Sequence, residues 1–302
     1  MSGLLNNSLF LSTAAAAAGG YQIERSLRFN SSDSASLSRA SYAGSGTFSC
    51  WVKRCKLGTA QTIISGVAFN ASDQLNSSTA VFRDPSAWMH VLVSTSGTYV
   101  NGTSVASGSA ITPGIIGSGC DLYLADIHFI DGQALTPSSF TEVSATTGQL
   151  IPKAYTGTFT GNSFWLKFSD NSSTTSGSNV GIGKDFSGLG NYWNSTNLSV
   201  TAGAGNDSLV DTPTSYGTDT GAGGEVRGNY ATLNLLTAGF NGTLSNGNLD
   251  YNLGSGGRRA EGTIAVTFGK WWWEALAVSG TTNGTVGGRF GFCIQSSLNN
   301  PE

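Results

Sequence analysis

The chain has 302 residues, of which 39% are hydrophobic and only 11% charged, and it carries 42 glycines and a formal net charge of −3. An average soluble domain is roughly 25% charged, so polarity here rests on Ser, Thr, Asn and Gly. That balance argues against nucleic acid as a partner, because phosphate contacts need clustered Lys and Arg, and the length allows one large domain plus a smaller unit.

Residues 1–20 contain Leu4-Leu5 and Leu9-Phe10-Leu11 ahead of an alanine run. No Lys or Arg precedes Arg25, so the basic region of a signal peptide is missing, and the polar interruptions leave the run unsuited to spanning a bilayer. Leu4, Leu5, Leu9, Phe10 and Leu11 are expected to dock on another protein. No membrane span is expected.

From Ser26 the chain reads as short strands separated by Gly, Asn, Asp and Ser clusters. Leu27 and Phe29 share one face of the first strand and Arg28 takes the other, expected to be wet. In 47–54, Phe48, Cys50 and Val52 alternate with Ser49, Trp51 and Lys53, and Trp51 suits either a second sheet or a groove. Lys53-Arg54-Cys55-Lys56 reads as a solvated strand end. Cys50 and Cys55 lie an odd number of residues apart, hence on opposite faces, which argues against a disulfide and for reduced thiols made in a cytosol.

Further strands follow at 61–65, 87–93 and 98–102, the last ending in Asn101-Gly102, a pair suited to the two positive-φ positions of a tight hairpin. Asp121 to Phe140 is the most informative stretch. Leu122, Leu124, Ile127 and Phe129 supply apolar alternation, Asp131-Gly132 stops the strand, and Thr136-Pro137 opens a helical turn. Ser163–Asp170 is another strand, expected to pair with Leu27–Phe29. Residues 201–229 are too rich in Gly and small polar residues for core and read as a linker. Strand patterns resume at 269–278 and 287–292.

Leu27-Phe29, Phe48-Trp51-Val52, Trp88-His90-Val91 and Tyr99-Val100-Asn101-Gly102, followed by 121–140, resemble in order the motifs of laminin-G domains. The resemblance implies an all-β fold, a laminin-G or concanavalin-A-like antiparallel β-sandwich of jelly-roll type, over 21–200. A Gly-rich linker over 201–232 and a partial SPRY-like β segment over 233–302 would follow. A SPRY unit needs more chain than remains, so either the polypeptide is a portion of a longer one or its strands complete a sheet with a neighbouring chain. Ile23 to Asn30, Phe129 to Phe140 and Thr201 to Thr214 also resemble segments of marine bacteriophage (cyanophage-like) virion proteins.

What that likeness implies is a tail fibre or other virion appendage, assembled in the host cytoplasm, with other virion proteins as partners. A homo-oligomer, a trimer by analogy with phage fibres, is expected to form through the strands around Trp271–Trp273. A lectin-like domain would present Trp51 or Tyr99 to a sugar face and Asn101 and Asp131 to its hydroxyls, for attachment to a host-surface glycan. The alternatives are a capsid-decorating or tail-joint protein that binds no glycan, and a polysaccharide depolymerase.

Catalysis is not expected. Retaining glycosidases need paired carboxylates about 5–5.5 Å apart, which alternate acids on one strand would supply. Glu24, Glu142, Glu225, Glu261, Glu274 and Glu302 are scattered, with no acidic residue two positions from any of them. His90 and His128 sit in strand patterns without a nucleophile motif. Asp126, with Asp33 as companion, offers hard oxygen ligands for a structural Ca²⁺, set against Asp126 capping a turn or pairing with Arg28.

Overall fold

The structure, a computed structural model, describes residues 20–215, 227–237, 242–252, 260–266 and 273–276. Leu4, Leu5, Leu9, Phe10 and Leu11 lie outside the described residues, as does the strand expected at 287–292. Of the one expected over 269–278 only 273–276 is described, and those four residues are not in a strand.

The protein is nearly all β. The strands run β1 (Ser26–Phe29), β2 (Ser36–Ser38), β3 (Gly46–Arg54), β4 (Gln61–Ile64), β5 (Val67–Phe69), β6 (Met89–Ser94), β7 (Gly97–Val100), β8 (Thr103–Ala106) and β9 (Ile115–Ile116). They continue with β10 (Leu122–Asp131), β11 (Thr141–Val143), β12 (Leu150–Pro152), β13 (Phe164–Leu166), β14 (Asn194–Thr196), β15 (Ser208–Leu209), β16 (Thr243–Ser245) and β17 (Asp250–Asn252). Pro137–Ser139 form the expected helical turn, with Pro at its start. Asn101 and Gly102 take φ of 47° and 78°, as the tight hairpin between β7 and β8 demands. No helix among the described residues is long and apolar enough to cross a membrane.

The largest sheet orders its strands β15-β1-β10-β3-β6-β7-β8, with β13 also on β10. Its inner face sends Leu27, Phe29, Phe48, Cys50, Val52, Val91, Val93, Leu122 and Leu124 into one core. Leu37 of β2, Ile116 of β9, and Ile63, Val67 and Phe69 of the β4–β5 hairpin meet them from the opposite layer. This is a β-sandwich-like packing, in which each buried Val, Leu, Ile or Phe contributes about 1.5–3 kcal/mol. Gly117, at φ 79°, has no room for a Cβ, which would press into the Phe29 ring. We expect Gly117→Ala to lower stability by about 1–3 kcal/mol, read as a shift of the urea midpoint at unchanged m-value.

Strand β10 breaks its own alternation. Leu122 and Leu124 are even-numbered, Ile127 and Phe129 odd-numbered, yet all four enter the same core. A period-two strand does this only by admitting one extra residue, and the register on β3 accordingly jumps from Ala125 opposite Trp51 to His128 opposite Ser49. Asp126, at φ 49°, sits in this bulge. Before it the other edge of β10 pairs with β1, and after it with β13 through Ile127–Leu166 and Phe129–Phe164. The strand 163–170 therefore does not pair with Leu27–Phe29 as expected, because β15 occupies the remaining edge of β1.

The outer face corrects three further expectations. Arg28 is 1% exposed rather than wet, and Lys53 and Arg54 are 0% exposed rather than a solvated strand end. Buried cations need buried partners. Arg28 pairs with Asp207 at 3.1 Å and Lys53 with Asp211 at 2.7 Å, both on the outer side. Arg54 turns to the inner side, where it pairs with Asp73 at 2.9 Å and lies 4.3 Å over the Phe69 ring. Asp207 and Asp211 come from the stretch read as a linker, so residues 207–211 are no spacer: β15 joins the sheet and the acids on either side of it neutralise the sheet's cations. Gly247 and Asn246 add backbone carbonyls over Tyr123 and Arg28. Cys50, Cys55 and Cys120 are free and buried, with Cys50 in the inner core and Cys55 in the outer cluster, on opposite faces as the spacing implies. Burial pushes the Cys55 and Cys120 thiols up to about 12, which keeps them protonated.

Candidate functional site

The residues expected to hold a sugar do not converge. Trp51 lies on the outer face opposite His90 and is 5% exposed, packed with Ile23, Trp88 and Tyr123, so neither ring face is offered to a ligand. Tyr99 is half-buried against Leu92, Ile130 and Phe140. Asn101 is exposed, but its Oδ1 accepts the His90 amide at 2.8 Å. Asp131 sits opposite Gly46, where its Oδ1 accepts the Tyr42 hydroxyl and its Oδ2 the Asn162 amide. Counting strands and residues between them separates Asp131 from Asn101 by about 20 Å.

Asp126 and Asp33 do not share a site either. Asp33 is exposed in a short turn after β1, close to Asp121, which accepts the Ser31 amide. Asp126 lies five residues further along β10, about 15 Å away, and does not pair with Arg28. Its Oδ1 accepts the Tyr21 hydroxyl at 2.8 Å and the Trp165 indole N–H at 2.7 Å. Among the described residues no three His, Cys, Asp or Glu side chains gather as a metal site would require.

Two open grooves line the edge of the main sheet. One, of 370 Å³, runs past Phe82, Arg83, Trp88, Asn101 and Val105, but its polar groups are satisfied within the protein: Trp88 donates to Asp211 and Arg83 meets Asp73 at 3.5 Å. The other, of 530 Å³, is bordered by small hydroxyl residues and Asn76 and holds no aromatic ring.

A buried polar row crosses the outer face beneath its cover. Ser49 Oγ lies 2.8 Å from His90 Nε2, and the His128 ring, opposite Ser49 in the register, packs on Phe140, Tyr155, Phe159 and Trp165. Ser49 and His90 are 2% and 0% exposed, so this serine–histidine pair has no path to a substrate. Burial drives the His90 pKa down to about 3 and lowers that of His128, leaving both rings neutral near pH 7.

The platform at the surface comes from β13 and the loops around it. Phe164, Leu166 and Phe168 point inward, and by alternation Trp165 and Lys167 point outward. Trp165 is partly exposed and held on three sides: its indole N–H donates to Asp126, its amide donates to Asp185 at 2.9 Å, and its carbonyl accepts the Phe186 amide at 2.8 Å. Phe159 lies parallel to Trp165 at 6.2 Å, and Phe186 meets it edge-on at 6.3 Å. Lys167 Nζ stands 5.3 Å from the Trp165 ring centre and 5.7 Å from that of Phe186, and Lys184 Nζ stands 5.1 Å from that of Phe186. All five side chains are partly exposed.

The alternation of Phe164-Trp-Leu-Lys-Phe168 held the signal for Trp165 and Lys167, although the spacing of Trp165 reads as core. Nothing local marked Phe159 or Phe186. No family model, no curated protein and no solved structure matches this chain.

Proposed function

We propose that the protein is a non-enzymatic recognition module of a phage-type virion appendage, of laminin-G-like jelly-roll type, and that it binds a host-surface glycan on the Phe159–Trp165–Phe186 platform. The observation that carries this reading is the anchoring of Trp165. A partly exposed indole backed by the His128 ring and fixed by Asp126, Asp185 and Phe186 is an apolar surface whose ordering cost is met before any ligand arrives. The likeness to virion proteins supplies the setting, and the buried state of Ser49, His90 and His128 favours binding over chemistry.

The test is retention on an array of bacterial surface oligosaccharides. Phe186→Ala and Trp165→Ala are expected to lose retained glycans at least tenfold in affinity while still unfolding cooperatively. Trp193→Ala, at a fully buried ring, is expected to cost about 3–5 kcal/mol of stability without altering the specificity of the folded fraction. Unchanged binding by both platform variants would sink the reading and leave the purely structural role.

A further inference from the structure

Resting on the reading of the platform as a glycan site, we infer that its ligand is an anionic saccharide, carrying carboxylate or sulfate groups, and that Lys167 and Lys184 determine this specificity. The argument is the separation of charge around the rings. Two of the acids beside the platform, Asp126 and Asp185, are consumed inward. Asp126 is 5% exposed and occupied by Tyr21 and Trp165, and Asp185 is 2% exposed and accepts the amides of Trp165, Ser187 and Asn191 as well as the Ser187 hydroxyl. The cations stay outside. Lys167 has no acidic partner within 4.0 Å among the described residues, and Lys184 only a loose one, Asp170 at 3.7 Å.

Both ammonium groups stand beside aromatic rings, Lys167 within about 6 Å of Trp165 and Phe186 and Lys184 5.1 Å from the centre of Phe186. A pyranose ring stacked on Trp165 or Phe186 would therefore bring a substituent within reach of one ammonium group or both. A neutral sugar there offers the lysines only uncharged hydroxyl acceptors. A carboxylate or sulfate gains a charge-assisted hydrogen bond, while the cation–π contact already holds the lysine over the rings. Because the chain as a whole is at −3, the attraction is local to this patch rather than a property of the whole surface.

The experiment uses the full chain on an array of carboxylated, sulfated and neutral oligosaccharides of matched length, with single-stranded oligo-dT as a further arm. Retained saccharides are expected to be anionic, to bind about tenfold more weakly to Lys167→Gln, and to weaken as NaCl rises from 50 to 500 mM. Lys184→Gln should show a smaller loss, and Lys56→Gln, at a remote ion pair with Asp121, none. Retention of neutral saccharides alone, lost in Phe186→Ala, would overturn the anionic inference and leave the glycan reading standing. If no saccharide is retained, or if oligo-dT is retained in their place, both fail.

Discussion

Replacing Lys53 by Met is expected to lower the free energy of unfolding by about 3–5 kcal/mol, the cost of leaving a buried partner charge uncompensated. The Lys53 ammonium is wholly enclosed and donates to Asp211 at 2.7 Å, to the Asn229 side chain at 2.9 Å and to the Tyr230 carbonyl at 2.7 Å. Removing it strands Asp211, whose carboxyl burial already holds above its ordinary range. It also frees two attachment points of the segment that covers the outer face. The double variant Lys53→Met with Asp211→Leu should regain most of the loss, since an apolar pair of similar volume removes the stranded charge. Urea unfolding of the wild type, the single and the double variants measures this directly. A single variant within 1 kcal/mol of wild type would mean that water reaches Asp211 and that Asn229 and Tyr230 do not close over it.

The second large effect is loss of stability in mild acid. The folded-state pKa of His90 is about 3 and that of His128 is also lowered, both below the unfolded value near 6.5, chiefly through burial. The sign follows from where the protons go. Above pH 6.5 both states hold neutral rings and the histidines favour neither. Below it the unfolded chain protonates rings that the folded chain keeps neutral, so His90 lowers stability by about 1.4 kcal/mol per pH unit until its folded-state value near 3 is reached, and His128 acts in the same sense. Between pH 6.5 and 4.5 His90 alone costs roughly 2–3 kcal/mol, and His128 adds to that loss in the same direction. Asp207 and Asp211, with carboxyls raised by burial, act in the opposite sense and regain stability as they are protonated, so the histidine share is isolated by comparison with His90→Gln. That variant should show a slope of stability against pH shallower by one proton over this window. An identical slope would show that His90 is protonated in the folded state.

Much of the architecture was legible in the chain. Alternation marked the inner side of β1 and the apolar residues of β10 but left the two faces of β3 open, whereas Asn101-Gly102 marked its hairpin and Thr136-Pro137 its turn, because each depends only on local period or on a residue's own φ preference. The parity change between Leu122-Leu124 and Ile127-Phe129 even encoded the bulge that lets β1 and β13 share one edge of β10. What the pattern could not carry was the fate of the outer face. Arg28 and Lys53 have the sequence signature of solvent-facing residues, and Asp207 and Asp211 that of a loop; only folding brings residues 179 and 158 positions apart together as buried ion pairs.

The same limit governs the site. Alternation along 164–168 sets Trp165 and Lys167 apart from the inward residues even though the spacing of Trp165 reads as core, but Phe159, Phe186, Asp126 and Lys184 reach them from separate loops and from a bulged neighbour. Local chemistry and period two are written in short stretches of sequence and settle each strand by itself. The partners of a buried charge and the members of an aromatic platform are set by which loops the sheet order places side by side, and that was decided by the tertiary structure alone.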